Sequence, residues 1–295
     1  MFMYQPKRTS RSEMRELRGL KIHFRHWGPD DAPTLLYLHG WMDVGGSFQF
    51  VVDALARERH VIAPDWRGFG LSEWQPQPPY WFPNLVGDLE AVLDSLDPEG
   101  TVDVVGHSMG GNVLGLYAGI RPERFRRVAL LEGFGLSDTH ADMAPGRYAQ
   151  WLAQLKSPPR LRPYRDMQEF AERVRADNPR LTAERALFVA RELGAVRADG
   201  TIDYAADPWH RATSPVLYRA HEARACWQRI EAPTLWVEGA ESHVLKRLLN
   251  DPEDYCARKA CFRHLSEVRI EGSGHNLHYE QPEQLAMALD EFFAC

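Results

Sequence analysis

Cysteines and long apolar runs are scarce in this chain. Its 295 residues include four cysteines, Cys226, Cys256, Cys261 and Cys295, which lack the spacing of a metal site and are too few for a disulfide-rich secreted domain. No apolar run approaches the ~18 residues that a membrane span needs, and Met1–Leu17 is polar and basic, without the apolar core of a signal peptide. We therefore expect free thiols, no membrane span and a cytoplasmic protein.

An excess of positive charge is also lacking. The formal net charge is -6, with 35 Lys and Arg against 41 Asp and Glu, so the chain has no basic field and nucleic acid is excluded as an expected partner. Hydrophobic residues make up 44% of the chain, which is ample for a core. The length predicts one large α/β domain or one domain with an insertion.

The strongest functional signal lies in residues 101–111, TVDVVGHSMGG. Its first half is rich in β-branched residues and predicts a buried strand, whereas the apolar residues after it recur at helical spacing. Between them stands Gly106-x-Ser108-x-Gly110, the pattern of a sharp strand-to-helix turn that raises a serine hydroxyl above a sheet. An ordinary glycine-rich turn would not require a strand before the pattern and a helix after it. The context therefore favours a nucleophilic serine.

Buried strands alternate with helices along most of the chain. A hairpin is expected at Glu13–Trp27, and further strands are expected at Thr34–Leu38, His60–Pro64, Arg127–Leu131, Thr234–Val237 and Val268–Ile270. This order predicts a doubly wound, mostly parallel sheet, which carries its functional site at the carboxyl ends of the strands.

The alternation stops between Leu136 and Trp227. This segment has no buried strand pattern, and its sequence predicts charged helices, the clearest at Asp166–Ala176, Thr182–Leu193 and Ser214–Arg224. Charges of both signs are interleaved through every helix. An insertion of ~90 residues between two sheet strands has to pack somewhere, and the carboxyl edge of the sheet is available. We therefore predict a core of residues 1–135 and 228–295 and a helical cap of residues 136–227.

Four motifs, taken together, indicate a family. Leu38-His39-Gly40-Trp41, Asp65-x-Arg67-Gly68-x-Gly70-x-Ser72, Gly106-x-Ser108-x-Gly110 and Gly272-x-Gly274-His275 occur in this order, and with them the sequence resembles the α/β-hydrolase superfamily, most of all the capped serine hydrolases that include the serine hydrolase-like proteins. The resemblance implies an α/β-hydrolase fold, a doubly wound, mostly parallel eight-stranded sheet with a helical cap insertion. It also implies Ser108 as nucleophile, His275 as general base, a carboxylate as orienter and no cofactor or metal.

The chemistry of acyl transfer agrees with these roles. A serine hydroxyl is a weak nucleophile at neutral pH, so an imidazole has to accept its proton, and His275 follows a strand in a Gly-Ser-Gly loop. The oxyanion needs aimed donors, for which we predict the backbone N–H of Met109 and of Trp41. His39 is expected to brace the oxyanion loop, His278 to be structural, and His107 to flank the turn at Ser108 without transferring protons.

The acid is the position where the sequence departs from the family pattern. Members usually carry an aspartate shortly after the strand at Thr234–Val237, but this chain has Ser242 there, with Glu241 one residue early and Glu238 at the strand end. Glu132 ends the preceding strand, an alternative acid position that haloalkane dehalogenases use. A glutamate at the end of an apolar strand lies at the carboxyl edge of the sheet, so we favour Glu132 over Glu241, and a role in bracing the cap stays open.

Two further predictions concern residues near the site. Asp65 and Arg67 are expected to tie the loop after their strand as a bidentate pair. A subset of the aromatic residues near strand ends or the cap is expected to line an apolar acyl or alkyl pocket; these are Trp74, Tyr80, Trp81, Phe82, Phe134, Tyr148 and Trp151.

Three functions remain open on the sequence. The first is a serine hydrolase that cleaves a carboxylic ester, thioester or lactone of a small to medium apolar acyl substrate, as a monomer or homodimer. The second uses the same residues as a cofactor-free perhydrolase or carbon-carbon bond hydrolase, and the third is a catalytically silent ligand-binding protein. The joint presence of Ser108 and His275 argues against the third.

Overall fold

The computed structural model describes residues 4–76 and 80–294. Its strands are β1 (Ser10–Leu17), β2 (Leu20–Trp27), β3 (Thr34–Leu38), β4 (His60–Pro64), β5 (Val102–His107), β6 (Phe125–Leu131), β7 (Gly194–Val196), β8 (Ile202–Tyr204), β9 (Thr234–Gly239) and β10 (Leu265–Ile270). Its helices are α1 (Gln49–Ala54), α2 (Phe82–Leu96), α3 (Met109–Ile120), α4 (Ala144–Lys156), α5 (Met167–Asp177), α6 (Ala183–Leu193), α7 (Ala220–Trp227), α8 (His243–Leu248), α9 (Pro252–Lys259), α10 (Leu277–Glu280) and α11 (Pro282–Phe292).

One eight-stranded sheet organises the molecule, in the order β1-β2-β4-β3-β5-β6-β9-β10. The pairs β1/β2 and β2/β4 are antiparallel, and every pair from β4 to β10 is parallel. The predicted fold class is therefore confirmed. Because the parallel strands all run in one direction, their carboxyl ends meet at one edge of the sheet.

The central strands are covered on both faces, which explains their continuous apolar sequence. Leu36 of β3 and Val104 of β5 belong to one core cluster, whereas Leu35 and Val105 belong to the cluster on the opposite face, and all four are at most 1% exposed. Burying one such side chain contributes roughly 1.5–3 kcal/mol. These two layers hold the carboxyl ends of the strands in fixed positions.

Residues 136–227, which we call segment 136–227, carry four helices and a two-stranded sheet of β7 and β8. Helices α5 and α6 confirm two of the predicted helices nearly to the residue. Their apolar faces, with Phe170 and Val189, join Phe50 and Tyr279 of the remaining chain in a third core cluster. Segment 136–227 thus packs on the rest of the protein through a core of its own.

Two predictions in segment 136–227 need correction. The helix expected at Ser214–Arg224 begins only at Ala220, because Pro215 disfavours a helical residue before it and the Tyr218 carbonyl accepts the Thr139 N–H at 3.1 Å instead. Helix α4, for which no helix was predicted, occupies Ala144–Lys156.

Three of the cysteines, Cys226, Cys256 and Cys261, are free thiols, as predicted, and Cys295 lies outside the described residues. None of the described helices has the length and apolar character that crossing a membrane requires.

Candidate active site

The strand-to-helix turn at Ser108 is built as the glycine pattern predicts. Strand β5 ends at His107, helix α3 begins at Met109, and Ser108 between them has φ +49°. A Cβ on Gly106 would lie 2.7 Å from the Cα of Gly111, and one on Gly110 would lie 2.2 Å from the Leu38 carbonyl oxygen. Only glycine fits at these approaches, so the turn holds the Ser108 hydroxyl at the carboxyl edge of the sheet.

Three side chains from three separate elements form one hydrogen-bonded chain at this edge. Nε2 of His275 lies 2.9 Å from Oγ of Ser108, and Nδ1 of His275 lies 3.2 Å from Oε2 of Glu132. Ser108 follows β5, Glu132 follows β6, and His275 lies in the loop after β10. This is the order of contacts that a nucleophile, its base and the acid that orients the base require.

Glu132 is held firmly in its place. Its carboxylate is buried and accepts hydrogen bonds from the Gly239 N–H at 2.8 Å and from the Ser242 hydroxyl, while its own N–H donates to the Val237 carbonyl at 3.1 Å. Ser242, at the position where the family usually has an aspartate, thus contributes a donor to the acid on the neighbouring strand. The sequence alone does not predict this role.

The two other candidate acids are engaged elsewhere. The Glu241 side chain is 51% exposed and pairs with Arg180. Glu238 is buried at the far side of β9, where its carboxylate accepts from Trp236 Nε1 at 2.8 Å and from the Tyr255 hydroxyl. Among the described residues, Glu132 is the carboxylate within hydrogen-bond distance of His275.

Positive φ angles concentrate around these residues. Among the described non-glycine residues, four have φ > 0: Arg18, Met42, Ser108 and Glu132. Ser108 and Glu132 directly follow β5 and β6, and Met42 lies four residues after the end of β3. Such conformations are costly for residues with a Cβ. The surrounding packing therefore imposes the backbone shape at the site against local preference.

The loop after β3 lies against the turn at Ser108, as predicted for an oxyanion loop. A Cβ on Gly40 would lie 3.3 Å from Cβ of Ser108 and 2.8 Å from Nδ1 of His107, so the Trp41 residue that follows is near the hydroxyl. Met109 supplies the first N–H of α3. His39 braces this loop: its Nδ1 lies 2.8 Å from the Gly40 carbonyl oxygen and its Nε2 accepts the Trp66 N–H at 2.9 Å.

The pairing predicted between Asp65 and Arg67 is wrong. Oδ2 of Asp65 lies 2.8 Å from Nδ1 of His23, and Oδ1 accepts the Gly45 N–H at 2.7 Å. Arg67 instead makes its bidentate pair with Asp88 of α2. The two side chains diverge because the chain leaves strand geometry after Pro64 and turns at Arg67, so residues two positions apart no longer share a face.

Asp43 anchors a buried network behind the site that sequence reasoning missed. Its carboxylate accepts from Tyr279 at 2.6 Å, from Ser47 at 3.0 Å and from Nε2 of His278 at 3.1 Å. Burial alone would raise the pKa of the Asp43 carboxyl, but the hydrogen bond and charge of His278 hold it below the usual range. Asp43, His278 and His107 each have a possible metal-ligand atom, and these three atoms lie within 4.8 Å of one another. Since the carboxylate oxygens already accept hydrogen bonds from the protein, the network itself accounts for the cluster.

His107 links that network to His275. It is buried, and desolvation followed by the charges of His278 and His275 lowers its pKa well below the ordinary value, so the ring is neutral. Its Nε2 lies 2.9 Å from the His275 carbonyl oxygen and donates to it. His107 thereby fixes the backbone of the residue that carries the base.

Replacing Asp43 with asparagine is expected to lower the free energy of unfolding at pH 7 by about 3–5 kcal/mol, because it leaves buried partners without their charged acceptor. The depressed pKa stabilises the fold above the pKa of an unfolded aspartate, and this stabilisation is lost as the pH falls through the folded pKa. The difference between wild type and Asp43→Asn should therefore shrink below pH ~4. Denaturant unfolding measures this difference in the free energy of unfolding, and Asp30→Asn, at an exposed aspartate, is the control. Equal stability of both variants at pH 7 would contradict the prediction.

Two cavities lie near the turn at Ser108, and Trp41 lines both. The first, of about 350 Å³, contains Ser108 and His275 and has a polar side with Arg173, Asp177 and Asn178. The second, of about 330 Å³, lies beside Met109 and is mainly apolar. Segment 136–227 contributes to the walls of both cavities.

The predicted aromatic lining is found in part. Tyr80, Trp81 and Phe82 line the apolar cavity. Phe134 instead stacks on Trp236 in the core, with ring centroids 3.9 Å apart, and Tyr148 is exposed on α4. The indole N–H of Trp41 donates to the His210 carbonyl of segment 136–227 at 3.1 Å, so this side chain connects the oxyanion loop with that segment.

Comparison with known proteins agrees with the fold. The family model described as alpha/beta hydrolase fold matches residues 33–282. The chain therefore belongs to the α/β-hydrolase fold family, and it is a hydrolase.

Its relatives lie in the serine hydrolase-like group and among named hydrolases. The chain is 26% identical over 291 residues to "Serine hydrolase-like protein" of Danio rerio, covering 94% of this chain and 85% of the relative. It is 30% identical to "3-hydroxybutyrate-oligomer hydrolase" of Cupriavidus necator, covering 92% of each. Among solved structures, "Thioesterase Domain From Curacin Biosynthetic Pathway" superposes with a TM-score of 0.83 at 25% identity, covering 95% of this chain and 99% of that one.

Proposed function

We propose that this hydrolase is a serine esterase that cleaves a carboxylic ester, thioester or lactone of a small to medium apolar acyl group through an acyl-enzyme. The observation that carries the proposal is the continuous chain from Ser108 Oγ through His275 to Glu132, with contacts of 2.9 Å and 3.2 Å. Such a chain has a use in acyl transfer and none in passive ligand binding.

In the first half-reaction, Ser108 Oγ attacks the substrate carbonyl carbon while His275 Nε2 accepts the hydroxyl proton. Glu132, on Nδ1, holds the ring in the required tautomer and stabilises the imidazolium. The tetrahedral intermediate then collapses, its bond to the leaving oxygen or sulfur breaks, and His275 returns the proton to that atom. A water molecule repeats the sequence on the acyl-enzyme and releases the acid and free Ser108.

The developing oxyanion would be stabilised by the N–H of Met109 and the N–H of Trp41. The first lies at the start of a twelve-residue helix, where the free amide groups and the dipole favour negative charge. The close approach of Gly40 to Ser108 supports the second. Donors fixed in this way are worth several kcal/mol in acyl transfer.

Segment 136–227 acts in this proposal as a cap that selects the substrate. Two contacts tie it to the loop of His275 and to the helix after that loop: Asn178 Oδ1 accepts from Asn276 Nδ2 at 2.6 Å, and Arg180 pairs with Glu280 of α10 at 3.2 Å. The apolar cavity, bounded by core and cap residues, offers room for an acyl or alkyl chain. The names of the two relatives that act on 3-hydroxybutyrate oligomers and as a thioesterase domain support the ester and thioester classes.

A panel of p-nitrophenyl esters and acyl thioesters of rising chain length, run beside fluorophosphonate labelling, tests the proposal. Turnover of a subset together with a label on Ser108 would support it. A label without turnover of any ester, thioester or lactone would indicate another substrate class at the same serine, such as a carbon-carbon bond. The absence of both the label and turnover would indicate a catalytically inactive protein.

The apolar cavity makes a prediction about chain length. Val216 lines the cavity and is 45% exposed, so Val216→Trp should narrow the space without disturbing the core. We expect kcat/KM for the longest accepted ester to fall roughly tenfold or more, with the acetate ester nearly unchanged, since one lost pocket contact is worth about 1–3 kcal/mol. Val196→Trp, on the 70% exposed Val196 of β7, is the matched control. If Val216→Trp changed kcat/KM equally for short and long esters, the cavity would not be the binding site of the acyl chain.

A further inference from the structure

Helix α4 exposes a stripe of apolar side chains to solvent. Tyr148, Leu152 and Leu155 share one face by their spacing and are 49%, 52% and 43% exposed. The half-buried residues Arg147, Trp151 and Gln154 face the protein, where Arg147 donates to the Ser214 carbonyl at 2.8 Å and the Gln154 side chain accepts the Thr213 N–H at 2.9 Å. A helix that only covers a core leaves polar side chains, and not an apolar stripe, in solvent. The apolar face of α4 is therefore left without a partner within the described chain.

The charged residues in and after α4 are all of one sign. Residues 143–165 contain no aspartate or glutamate but five basic residues, in a chain whose net charge is -6. The interleaving of both signs expected for every helix of segment 136–227 therefore fails here. Arg162 and Arg165 pair with Glu169 and Asp166 at the start of α5.

Lys156 and Arg160 are exposed, and neither makes an ion pair with a described residue. Lys156 is the last residue of α4, one position after Leu155, so its charge borders the apolar face. A long basic side chain in this position can keep its stem on apolar material and its charge at a polar boundary.

We propose that α4 and the basic residues after it form a docking surface for a bilayer that contains anionic phospholipids. We call it the α4 surface, and it consists of Tyr148, Leu152, Leu155, Lys156 and Arg160. Apolar and aromatic side chains insert at the level of the head groups, while adjacent basic side chains meet the negative surface potential. The combination favours an anionic lipid surface over a second copy of the chain, which carries net negative charge but offers no acyl layer.

The position of the α4 surface suits delivery of an apolar molecule to the site. Arg147 of α4 lines the apolar cavity together with Leu136 and Val216, which are 38% and 45% exposed. A protein resting on α4 would therefore hold this cavity close to the lipid. The docking itself stands independently of the chemistry at Ser108.

Vesicle flotation tests the proposal with the full chain. We expect the protein to float with phosphatidylcholine vesicles that contain 30% phosphatidylglycerol, to bind pure phosphatidylcholine at least roughly tenfold more weakly, and to lose most binding in 0.5 M NaCl. Absence from both vesicle fractions in low salt would overturn the proposal.

Paired variants separate the two components of the α4 surface. Leu152→Gln/Leu155→Gln should weaken vesicle binding by about tenfold or more, whereas the control Leu249→Gln/Met287→Gln, on side chains 45% and 67% exposed, should not. Lys156→Glu/Arg160→Glu should also reduce binding, by at least about fivefold for each charge, and the control Lys246→Glu/Arg247→Glu on exposed basic residues should have little effect.

Hydrolysis of a short soluble ester, or circular dichroism if no ester is hydrolysed, reports that each variant is folded. If either control reduces binding as much as its partner variant, the attraction is not specific to α4. If size-exclusion chromatography shows a dimer that Leu152→Gln/Leu155→Gln dissociates while vesicle binding is absent, the surface pairs with a second copy and the lipid proposal is wrong.

Discussion

Changing Ser108 to alanine is expected to lower kcat by about 10⁴ to 10⁶ on any ester that the wild-type protein cleaves, because no acyl-enzyme can form without the hydroxyl. The Ser108 hydroxyl contacts His275 and lies outside the core, so the free energy of unfolding should barely change. Steady-state kinetics and mass spectrometry of the fluorophosphonate adduct measure the two parts of the prediction.

Ser157→Ala, on an exposed serine after α4, is the control for the loss of a hydroxyl. It should keep both the rate and the adduct. A covalent label on another serine in wild type, or a loss of only a few-fold in Ser108→Ala, would remove Ser108 from the role of nucleophile.

Replacing Glu132 with glutamine is expected to lower kcat by about 10² to 10⁴, because the amide keeps the size of the side chain but no longer stabilises the imidazolium or fixes the tautomer of His275. Glu241→Gln is the matched control, since that carboxylate is half exposed and bound to Arg180. Its kcat should stay within a few-fold of wild type. If Glu241→Gln lost the larger factor, the acid would belong to the turn after β9.

A relocated acid gives a second test of Glu132. The Ser242 hydroxyl donates to the Glu132 carboxylate, so an acid introduced at this position would reach the space that Glu132 now fills. Glu132→Gly removes the carboxylate and suits the φ of +54° at that position. Glu132→Gly/Ser242→Asp should recover part of the activity that Glu132→Gly loses, whereas Ser242→Asp alone should be harmful because two carboxylates would share one buried site.

The fold was predictable where the local sequence pattern reflects burial in the tertiary structure. Strands β3 and β4 have the predicted bounds, Thr34–Leu38 and His60–Pro64, because a doubly covered strand is an uninterrupted apolar run between polar turns. Helix α4 escaped prediction for the opposite reason. Its residues Tyr148, Leu152 and Leu155 face solvent and no residue of it is fully buried, so burial in a core did not select its pattern.

The part of the site that was predictable is the backbone turn whose geometry requires glycine. Gly106 and Gly110 mark the turn at Ser108, and the order of motifs led to His275. Contacts between side chains are not encoded by proximity in sequence. Arg67 lies two residues from Asp65 yet pairs with Asp88, and nothing local indicates that Ser242 donates to Glu132.

The positive φ angles of Met42, Ser108 and Glu132 have a consequence for how this protein can be stabilised. Each holds the chain in a conformation that costs a residue with a Cβ of order 1–3 kcal/mol, so glycine would relieve part of that cost. At Ser108, where the side chain adds little to packing, Ser108→Gly should therefore melt at a higher temperature than Ser108→Ala, although both would lack the hydroxyl that we propose as the nucleophile. Selection for thermal resistance alone would tend to remove Ser108 and Glu132, the residues on which we expect turnover to depend, so laboratory evolution of this protein has to screen for both properties at once.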